Sequence, residues 1–94
     1  MDDTGRDGLR AELQDWLCAR LAEELRLPAG SIDPAEPMSA YGLDSVRAIT
    51  LLSDVEARVG FEIAPNALWE FPTVASFTDL LIDEMTRTDR SRLG

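Results

Sequence analysis

The sequence has 94 residues, of which 45% are hydrophobic and 29% charged, and its 18 acidic and nine basic residues give a net charge of −9. This length and composition predict one soluble globular domain, because the chain is too short for two separate cores. It contains no histidine and no lysine, which excludes Ser-His-Asp and Cys-His relays, histidine-ligated metal sites, Schiff-base chemistry and the lysine of a phosphate-binding loop.

The negative charge is concentrated in the body of the chain. Residues 1–86 contain six arginines and seventeen acids, a net charge of −11, whereas three arginines lie in the last eight residues. Such acidity disfavours nucleic acid and anionic membranes and favours basic protein partners, and it also promotes solubility. The single cysteine, Cys18, cannot form an internal disulfide. No apolar run is as long as the hydrophobic region of a signal peptide or as a membrane span. We therefore expect a cytoplasmic chain with an inert, partly packed thiol.

The first predicted helix begins near Asp7, after a disordered polar leader at residues 1–6. It closes around Arg26, because Pro28 disfavours helical geometry at the residue before it. Residues 28–44 form a long loop with three prolines and no sustained period. Large apolar side chains predict that the loop is packed on the core. The apolar face of the helix consists of Leu9, Leu13, Trp16, Leu17, Leu21 and Leu25, and the loop residues are Ile32, Met38, Tyr41 and Leu43.

The second predicted helix opens at Asp44 and Ser45, both of which are good N-cap residues, and Gly60 is placed to end it. Its inward stripe is Ala48, Ile49, Leu52, Val55 and Val59. Residues 61–63 alternate apolar and acidic side chains, and they are predicted to be extended loop because a lone short strand would have no partner.

Residues 66–71, bracketed by two prolines, predict a short helix, and Thr73 caps the last helix before a flexible tail at residues 87–94. The inward face of the last helix is Val74, Phe77, Leu80, Leu81 and Met85. The predicted fold is all-α, a small four-helix bundle of three main helices and one short one, with residues 7–86 as the domain. The long connection predicts a parallel pair of helices, and Trp16 and Trp69 are expected to be core or core-edge anchors.

Ser45 is the main candidate for chemistry. It ends the long loop at the start of a helix, where backbone N–H groups and the helix dipole favour a phosphate attached to its hydroxyl. From the local sequence alone, the favoured interpretation is that Ser45 is an N-cap residue with no further role.

Residues 41–47, Tyr-Gly-Leu-Asp-Ser-Val-Arg, resemble the phosphopantetheine attachment site of acyl carrier proteins. Residues 59–63, Val-Gly-Phe-Glu-Ile, and residues 70–74, Glu-Phe-Pro-Thr-Val, resemble the flanking segments of that family, especially in modular polyketide synthases. The resemblance covers about residues 9–85 and implies a bundle of acyl-carrier type. It implies 4'-phosphopantetheine carried on Ser45, with Gly42, Leu43 and Asp44 completing the cofactor-binding motif.

The resemblance implies a carrier that holds acyl or polyketide intermediates as thioesters, with no catalytic residues of its own and no metal. Its partners would be a phosphopantetheinyl transferase, and a ketosynthase, an acyltransferase or other acyl-processing enzymes. We expect a monomer that binds neither nucleic acid nor membrane. The expected partner-binding residues on the second helix are Val46, Arg47, Ile49, Thr50 and Ser53, and Ile49 is equally compatible with the core.

Several alternatives stay open at this point. Val46 and Arg47 also resemble aryl and peptidyl carriers of nonribosomal peptide synthesis, and an unmodified acidic helical interaction module would share the fold and charge. A serine hydrolase would need the histidine that the chain lacks. The apolar set Val55, Ile63, Leu68 and Phe71 either packs the core or lines a cleft for an acyl chain.

Overall fold

A computed structural model describes the backbone of residues 2–93 and the side chains of residues 7–87. Within these residues every regular element is helical: α1 is Asp2–Leu25, a short 3₁₀ helix is Met38–Tyr41, α2 is Ser45–Val59, α3 is Ala67–Glu70 and α4 is Val74–Leu93. The predicted all-α fold of three main helices and one short helix is confirmed. None of the helices in this part of the chain is both long and apolar enough to cross a membrane.

The two terminal helices are longer than the apolar pattern predicts. α1 begins at Asp2 rather than near Asp7, and α4 continues to Leu93, through most of the expected tail at residues 87–94. Periodicity cannot locate such ends, because it registers only turns that bury a face. Residues 1 and 94, the ends of the predicted leader and tail, lie outside the described residues. The domain limits at residues 7 and 86 remain predictions.

α1 ends in a left-handed turn. Arg26 has a φ of 57°, and the N–H of Leu27 donates to the carbonyl oxygen of Ala22 at 2.8 Å. This six-residue closure is the Schellman arrangement, in which a left-handed residue lets the chain reverse onto the last turn of the helix. Pro28 follows at once, so the sequence predicts the end of α1 within one residue.

The core is formed by one face of each helix together with the long loop. The predicted inward stripes are largely confirmed, and the packed loop is confirmed because Ile32, Met38 and Leu43 are buried. The helical core side chains include Leu13, Leu17, Leu21, Leu51, Leu52, Val55, Leu68, Val74, Phe77 and Leu81. Ile49 is not among them, since 65% of its surface is exposed, and Leu51 takes the buried position instead.

α1 and α2 run antiparallel. Arg58 lies over the ring of Trp16, Arg20 pairs with Asp54, and Arg47 binds the main chain of Glu24. As the residue number rises along α1, the contacting number on α2 falls. The prediction that the long loop carries the chain back to make these two helices a parallel pair is therefore wrong. The end of α1 and the start of α2 lie side by side, and the loop leaves and returns at the same end.

The long loop is tied to the start of α4. The N–H of Met38 donates to the carbonyl oxygen of Pro72 at 2.8 Å, and the N–H of Ala75 donates to that of Pro34 at 2.9 Å. Within the loop, the hydroxyl of Tyr41 accepts the N–H of Asp33 at 2.9 Å. These bonds satisfy backbone groups that would otherwise be orphaned, and they fix the segment that leads into α2.

Candidate functional site

The start of α2 is capped by Asp44. Asp44 is extended, with φ −112° and ψ 179°, and its carboxylate accepts the N–H of Arg47 at 2.8 Å. Its carbonyl oxygen accepts the N–H of Ala48 at 2.8 Å. Of the two residues that the sequence offers as N-cap, Asp44 takes the role, so the interpretation of Ser45 as a cap is wrong. Ser45 is the first residue of the helix itself.

The hydroxyl of Ser45 is therefore free for chemistry. The residue is exposed, and within residues 7–87 the hydroxyl makes no hydrogen bond. The N–H groups of Ser45 and Val46 have no intrahelical acceptor, as at the start of any α-helix, while Asp44 already binds the next two N–H groups. An exposed hydroxyl beside two unpaired N–H groups at the positive end of the dipole suits a phosphodiester.

The approach to Ser45 alternates exposed and buried residues. Gly42 is exposed and left-handed, with a φ of 98°, and its N–H donates to the carbonyl oxygen of Ser39 at 3.0 Å. Leu43 then inserts its side chain into the core. A Cβ on Gly42 would meet no atom within 4 Å, so glycine is needed here for its backbone angle and not for space. The motif residues thus hold Ser45 at the surface: Gly42 forms the turn, Leu43 anchors the segment in the core and Asp44 caps α2.

The expected partner-binding residues form a stripe on α2. Val46 and Ile49 are 74% and 65% exposed, and Thr50 and Ser53 are also exposed. The alternative that Ile49 belongs to the core is wrong. Their role in binding partners stays a prediction, although exposed apolar side chains beside a modified residue are suited to it.

Arg47 differs from its neighbours on α2. It is half-buried, and its guanidinium donates a hydrogen bond of 2.7 Å to the carbonyl oxygen of Glu24. This bond occupies a carbonyl in the last turn of α1, where a cation also suits the negative end of the dipole. Arg47 therefore joins α1 to the start of α2. The sequence could not reveal this contact because the two residues are far apart in the chain.

The two tryptophans differ in their surroundings. Trp16 is half-buried, with the guanidinium carbon of Arg58 at 5.4 Å from its ring centre, which confirms it as a core-edge anchor. Trp69 on α3 is 50% exposed, so the expectation that it anchors the core is wrong. The preceding Ala67 and Leu68 are buried, and a single turn of helix has too few residues for its sequence to show which positions face outward.

A cleft of about 220 Å³ lies between α3, α4 and the segment after α2. Ile63 and Phe71 line it, as the sequence allowed, whereas Val55 and Leu68 belong to the core. Its other lining residues are Phe61, Glu62, Ala64, Ala67, Glu70, Leu80, Leu81 and Glu84. The predicted apolar set is therefore divided between cleft and core.

Two titratable groups outside the Ser45 motif, Cys18 and Arg20, have pKa values raised by their surroundings. Burial, and then the nearby charges of Asp15 and Asp33, raise the pKa of the half-buried Cys18 thiol, which favours the neutral form and agrees with the expected inert cysteine. The hydrogen bond to Asp54 raises the pKa of Arg20. In the part of the chain whose side chains are described, no group of three His, Cys, Asp or Glu residues could hold a metal ion.

Comparisons with known proteins agree with this geometry. Residues 15–81 match the family model described as the phosphopantetheine attachment site. The chain is 44% identical over 75 residues to polyketide synthase ThaQ of Burkholderia thailandensis, covering 79% of this chain and 4% of that protein. It spans only 2 to 4% of the length of the curated relatives that it matches.

Two solved structures are similar along most of their length. BlmI, a type-II acyl carrier protein from Streptomyces verticillus involved in bleomycin biosynthesis, is 32% identical with a TM-score of 0.80, and the match covers 87% of this chain and 96% of BlmI. A free-standing peptidyl carrier protein from Acinetobacter baumannii is 30% identical with a TM-score of 0.77, over 81% of this chain and 95% of that one. The chain belongs to the family of phosphopantetheine-binding carrier domains, which carry a bound group and do not themselves catalyse its reactions.

Proposed function

We propose that this domain is a polyketide-type acyl carrier in which 4'-phosphopantetheine is attached to the hydroxyl of Ser45. The observation that carries the proposal is that Asp44 and Ser45 have different roles at the start of α2. Asp44 caps the helix, which leaves Ser45 exposed beside unpaired N–H groups. The polyketide assignment is supported by the relatives named as polyketide synthases, such as ThaQ.

The chain's own residues would hold and present the group. The Ser45 oxygen would be the phosphate ester oxygen, and the N–H groups of Ser45 and Val46 would stabilise the phosphate charge. The attached arm would supply a terminal thiol for the thioester, and a tether of this kind raises the effective concentration of the acyl group at a partner's active site. Because the Asp44 carboxylate is engaged in the cap, we assign it a positioning role and not that of a base.

The partners follow from this role. A phosphopantetheinyl transferase would modify Ser45, and a ketosynthase, an acyltransferase or another acyl-processing enzyme would act on the thioester. We place the domain in the cytoplasm, acting as a monomer without nucleic acid or membrane. The negative charge of the sequence and its single cysteine support these assignments.

The second candidate is an aryl or peptidyl carrier of nonribosomal peptide synthesis. It is favoured by the similarity to the peptidyl carrier protein of Acinetobacter baumannii, which has the same fold at 30% identity. The two candidates differ in the enzyme that loads the thiol. The modified domain is incubated separately with acyltransferases and with adenylation enzymes. Loading of the thiol by an acyltransferase favours the polyketide-type carrier, and loading by an adenylation enzyme favours the aryl or peptidyl carrier.

Intact mass measurement tests the attachment. The purified domain is incubated with a broad-specificity phosphopantetheinyl transferase, magnesium and coenzyme A. We expect one phosphopantetheine adduct, placed on Ser45 by peptide fragmentation. Ser45→Ala should remain unmodified, and because Ser45 is exposed and is not the cap, its circular dichroism and melting temperature should match those of the wild type. A folded wild-type domain that acquires no adduct would leave the unmodified interaction module as the better account.

A further inference from the structure

The arginines of residues 7–87 differ in what their side chains contact. Arg26 is exposed, and its guanidinium makes no hydrogen bond or ion pair within these residues. The others are all engaged: Arg10 pairs with Asp79, Arg20 with Asp54 and Arg87 with Glu84, Arg58 lies over the ring of Trp16, and Arg47 binds the carbonyl of Glu24. Arg26 is therefore a free cation on a chain whose net charge is −9.

Arg26 lies at the end of the molecule that carries Ser45. It follows α1 two residues after Glu24, and the carbonyl oxygen of Glu24 lies 2.7 Å from the guanidinium of Arg47. Arg47 in turn comes two residues after Ser45. Because consecutive Cα atoms are about 3.8 Å apart, each of these two-residue steps spans at most about 8 Å. Arg26 and Ser45 thus flank the contact that joins the end of α1 to the start of α2.

The backbone of Arg26 is held in an unfavourable conformation. With a φ of 57°, it is the only non-glycine residue of positive φ in the described part of the chain. Glycine is the usual residue at this position of a helix end, because a Cβ disfavours positive φ. An arginine here costs stability that a glycine would not, and its free guanidinium forms no contact in this structure that offsets the cost. Residues held in this way are commonly found at functional sites.

The surroundings of Ser45 are otherwise acidic. Glu23, Glu24 and Asp44 lie at or next to the two helix ends that meet there, and the last carbonyl groups of α1 add the negative end of a helix dipole. A phosphate ester on Ser45 would bring a further negative charge to this place. The guanidinium of Arg47 is already bound to a carbonyl of α1, so Arg26 is the cation that remains to balance the phosphate.

We propose that Arg26 is a positioning residue for the phosphopantetheine arm, and that its guanidinium pairs with the phosphate on Ser45. The inference rests on the proposed attachment at Ser45. A guanidinium suits this role because it forms charge-assisted hydrogen bonds with phosphate oxygens through parallel N–H groups. The ion pair would hold the first part of the arm toward the end of α1 and leave the thiol end free to reach a partner's active site.

Melting temperatures of the unmodified and modified domain test the ion pair. Arg26→Gln removes the charge while keeping a side chain with a similar backbone cost, and Arg26→Lys keeps the charge. At about 20 mM salt, we expect the change in melting temperature on modification to be about 2–4 °C more favourable for the wild type than for Arg26→Gln. At about 500 mM salt the difference should fall below about 1 °C, because an exposed ion pair is screened. Arg26→Lys should recover part of it.

Phosphorus NMR of the modified domain observes the phosphate directly. Arg26→Gln should shift the resonance of the phosphate ester, and Arg26→Lys should leave it closer to its wild-type position. Added salt should move the wild-type resonance toward that of Arg26→Gln. A purely structural role of Arg26 would leave the wild type and Arg26→Gln with the same dependence of this resonance on salt.

The matched control removes the same charge far from Ser45. Arg10 lies 14 residues before Glu24 on α1, or about 21 Å along the helix. Arg10→Gln should keep the wild-type phosphorus resonance and the wild-type response to modification, even where loss of the pair with Asp79 lowers the melting temperature of both forms. Melting of the unmodified forms establishes that each variant is folded.

The outcomes separate this inference from the proposed function. If the wild type and Arg26→Gln respond equally to modification and share one resonance position, the inference is wrong while the attachment stands. If Arg26→Lys behaves like Arg26→Gln, or Arg10→Gln changes as much as Arg26→Gln, a local ion pair is not responsible and the inference is also wrong. If the folded wild type acquires no adduct, the attachment at Ser45 itself fails and the inference falls with it.

Discussion

The guanidinium of Arg47, two residues after the proposed attachment site, donates a hydrogen bond of 2.7 Å to the carbonyl oxygen of Glu24 at the end of α1. One side chain thus closes the last turn of α1 and fixes the first turn of α2 against it. The position of Ser45 consequently depends on α1, although no residue of α1 belongs to the motif.

Removing this hydrogen bond should loosen the contact between the two helices. Arg47→Met keeps most of the aliphatic stem and loses the donor. We expect the free energy of unfolding to fall by about 1–2 kcal/mol, because the bond involves a charged donor in a half-buried position. For a domain of this size the melting temperature falls by about 4–8 °C for each kcal/mol. Arg47→Lys, which keeps a cationic donor, should recover part of the loss. Equal melting temperatures for Arg47→Met and the wild type would contradict the role of the bond.

The cap at Asp44 should be replaceable by another good cap. Asp44→Ala leaves the N–H of Arg47 without its acceptor and should cost about 1 kcal/mol, whereas Asp44→Ser or Asp44→Asn should cost only a few tenths. Urea unfolding measures the difference. If the alanine and serine variants are equally stable, the carboxylate seen on the N–H of Arg47 contributes nothing to the fold.

The left-handed turn at Gly42 predicts opposite effects for the same substitution at two glycines. Gly42 has a φ of 98°, and a Cβ there meets no atom within 4 Å, so Gly42→Ala should destabilise by about 1–2 kcal/mol through backbone strain alone. Gly8 lies within α1 and is also open to a Cβ, so Gly8→Ala should stabilise by about 0.5–1 kcal/mol. Chemical unfolding of the two variants side by side checks both signs. Stabilisation by Gly42→Ala would contradict the left-handed turn.

The sequence predicts those parts of the fold that depend on local chemistry. The end of α1 before Pro28, the cap at Asp44 and the stop at Gly60 are each decided by one or two residues, and the structure places them as expected. The inward face of α2 is harder to predict, because Ile49 and Leu51 lie at the two edges of one apolar arc of about 160°, with Ala48 and Leu52 between them. Only packing against the rest of the core determines that Leu51 is buried and Ile49 exposed.

The site shows the same division between local and long-range contacts. The motif predicts Ser45, but the contacts of Arg47 with Glu24 and of Asp54 with Arg20 join residues 23 and 34 positions apart, and no spacing rule reaches that far. The motif therefore predicts the proposed attachment residue, but not the contacts that hold α2 against α1.

Thr78 should tolerate loss of its hydroxyl. It is completely buried on α4, and its Oγ1 has no hydrogen-bond partner among the described residues. Valine has nearly the same shape without the polar atom, so Thr78→Val removes an unsatisfied group and should stabilise by about 1 kcal/mol. Thr78→Ala, which also removes a methyl group, serves as the control and should be less stable than Thr78→Val. If Thr78→Val is less stable than the wild type, the hydroxyl has a partner after all.

The Cys18 thiol gives the fold a pH dependence on the alkaline side. Burial, followed by the charges of Asp15 and Asp33, raises the pKa of this thiol above its value in the unfolded chain, so the folded state disfavours the thiolate. The corresponding stability is fully present below the unfolded pKa and is lost as the pH rises through the folded pKa. Urea unfolding at pH 7.5 and about pH 10, under reducing conditions, should show a larger loss for the wild type than for Cys18→Ala. Alkylation by iodoacetamide at pH 8 should be slower in the folded domain than in the urea-unfolded chain. Equal pH dependence in the two proteins would mean that the thiol has the same pKa folded and unfolded.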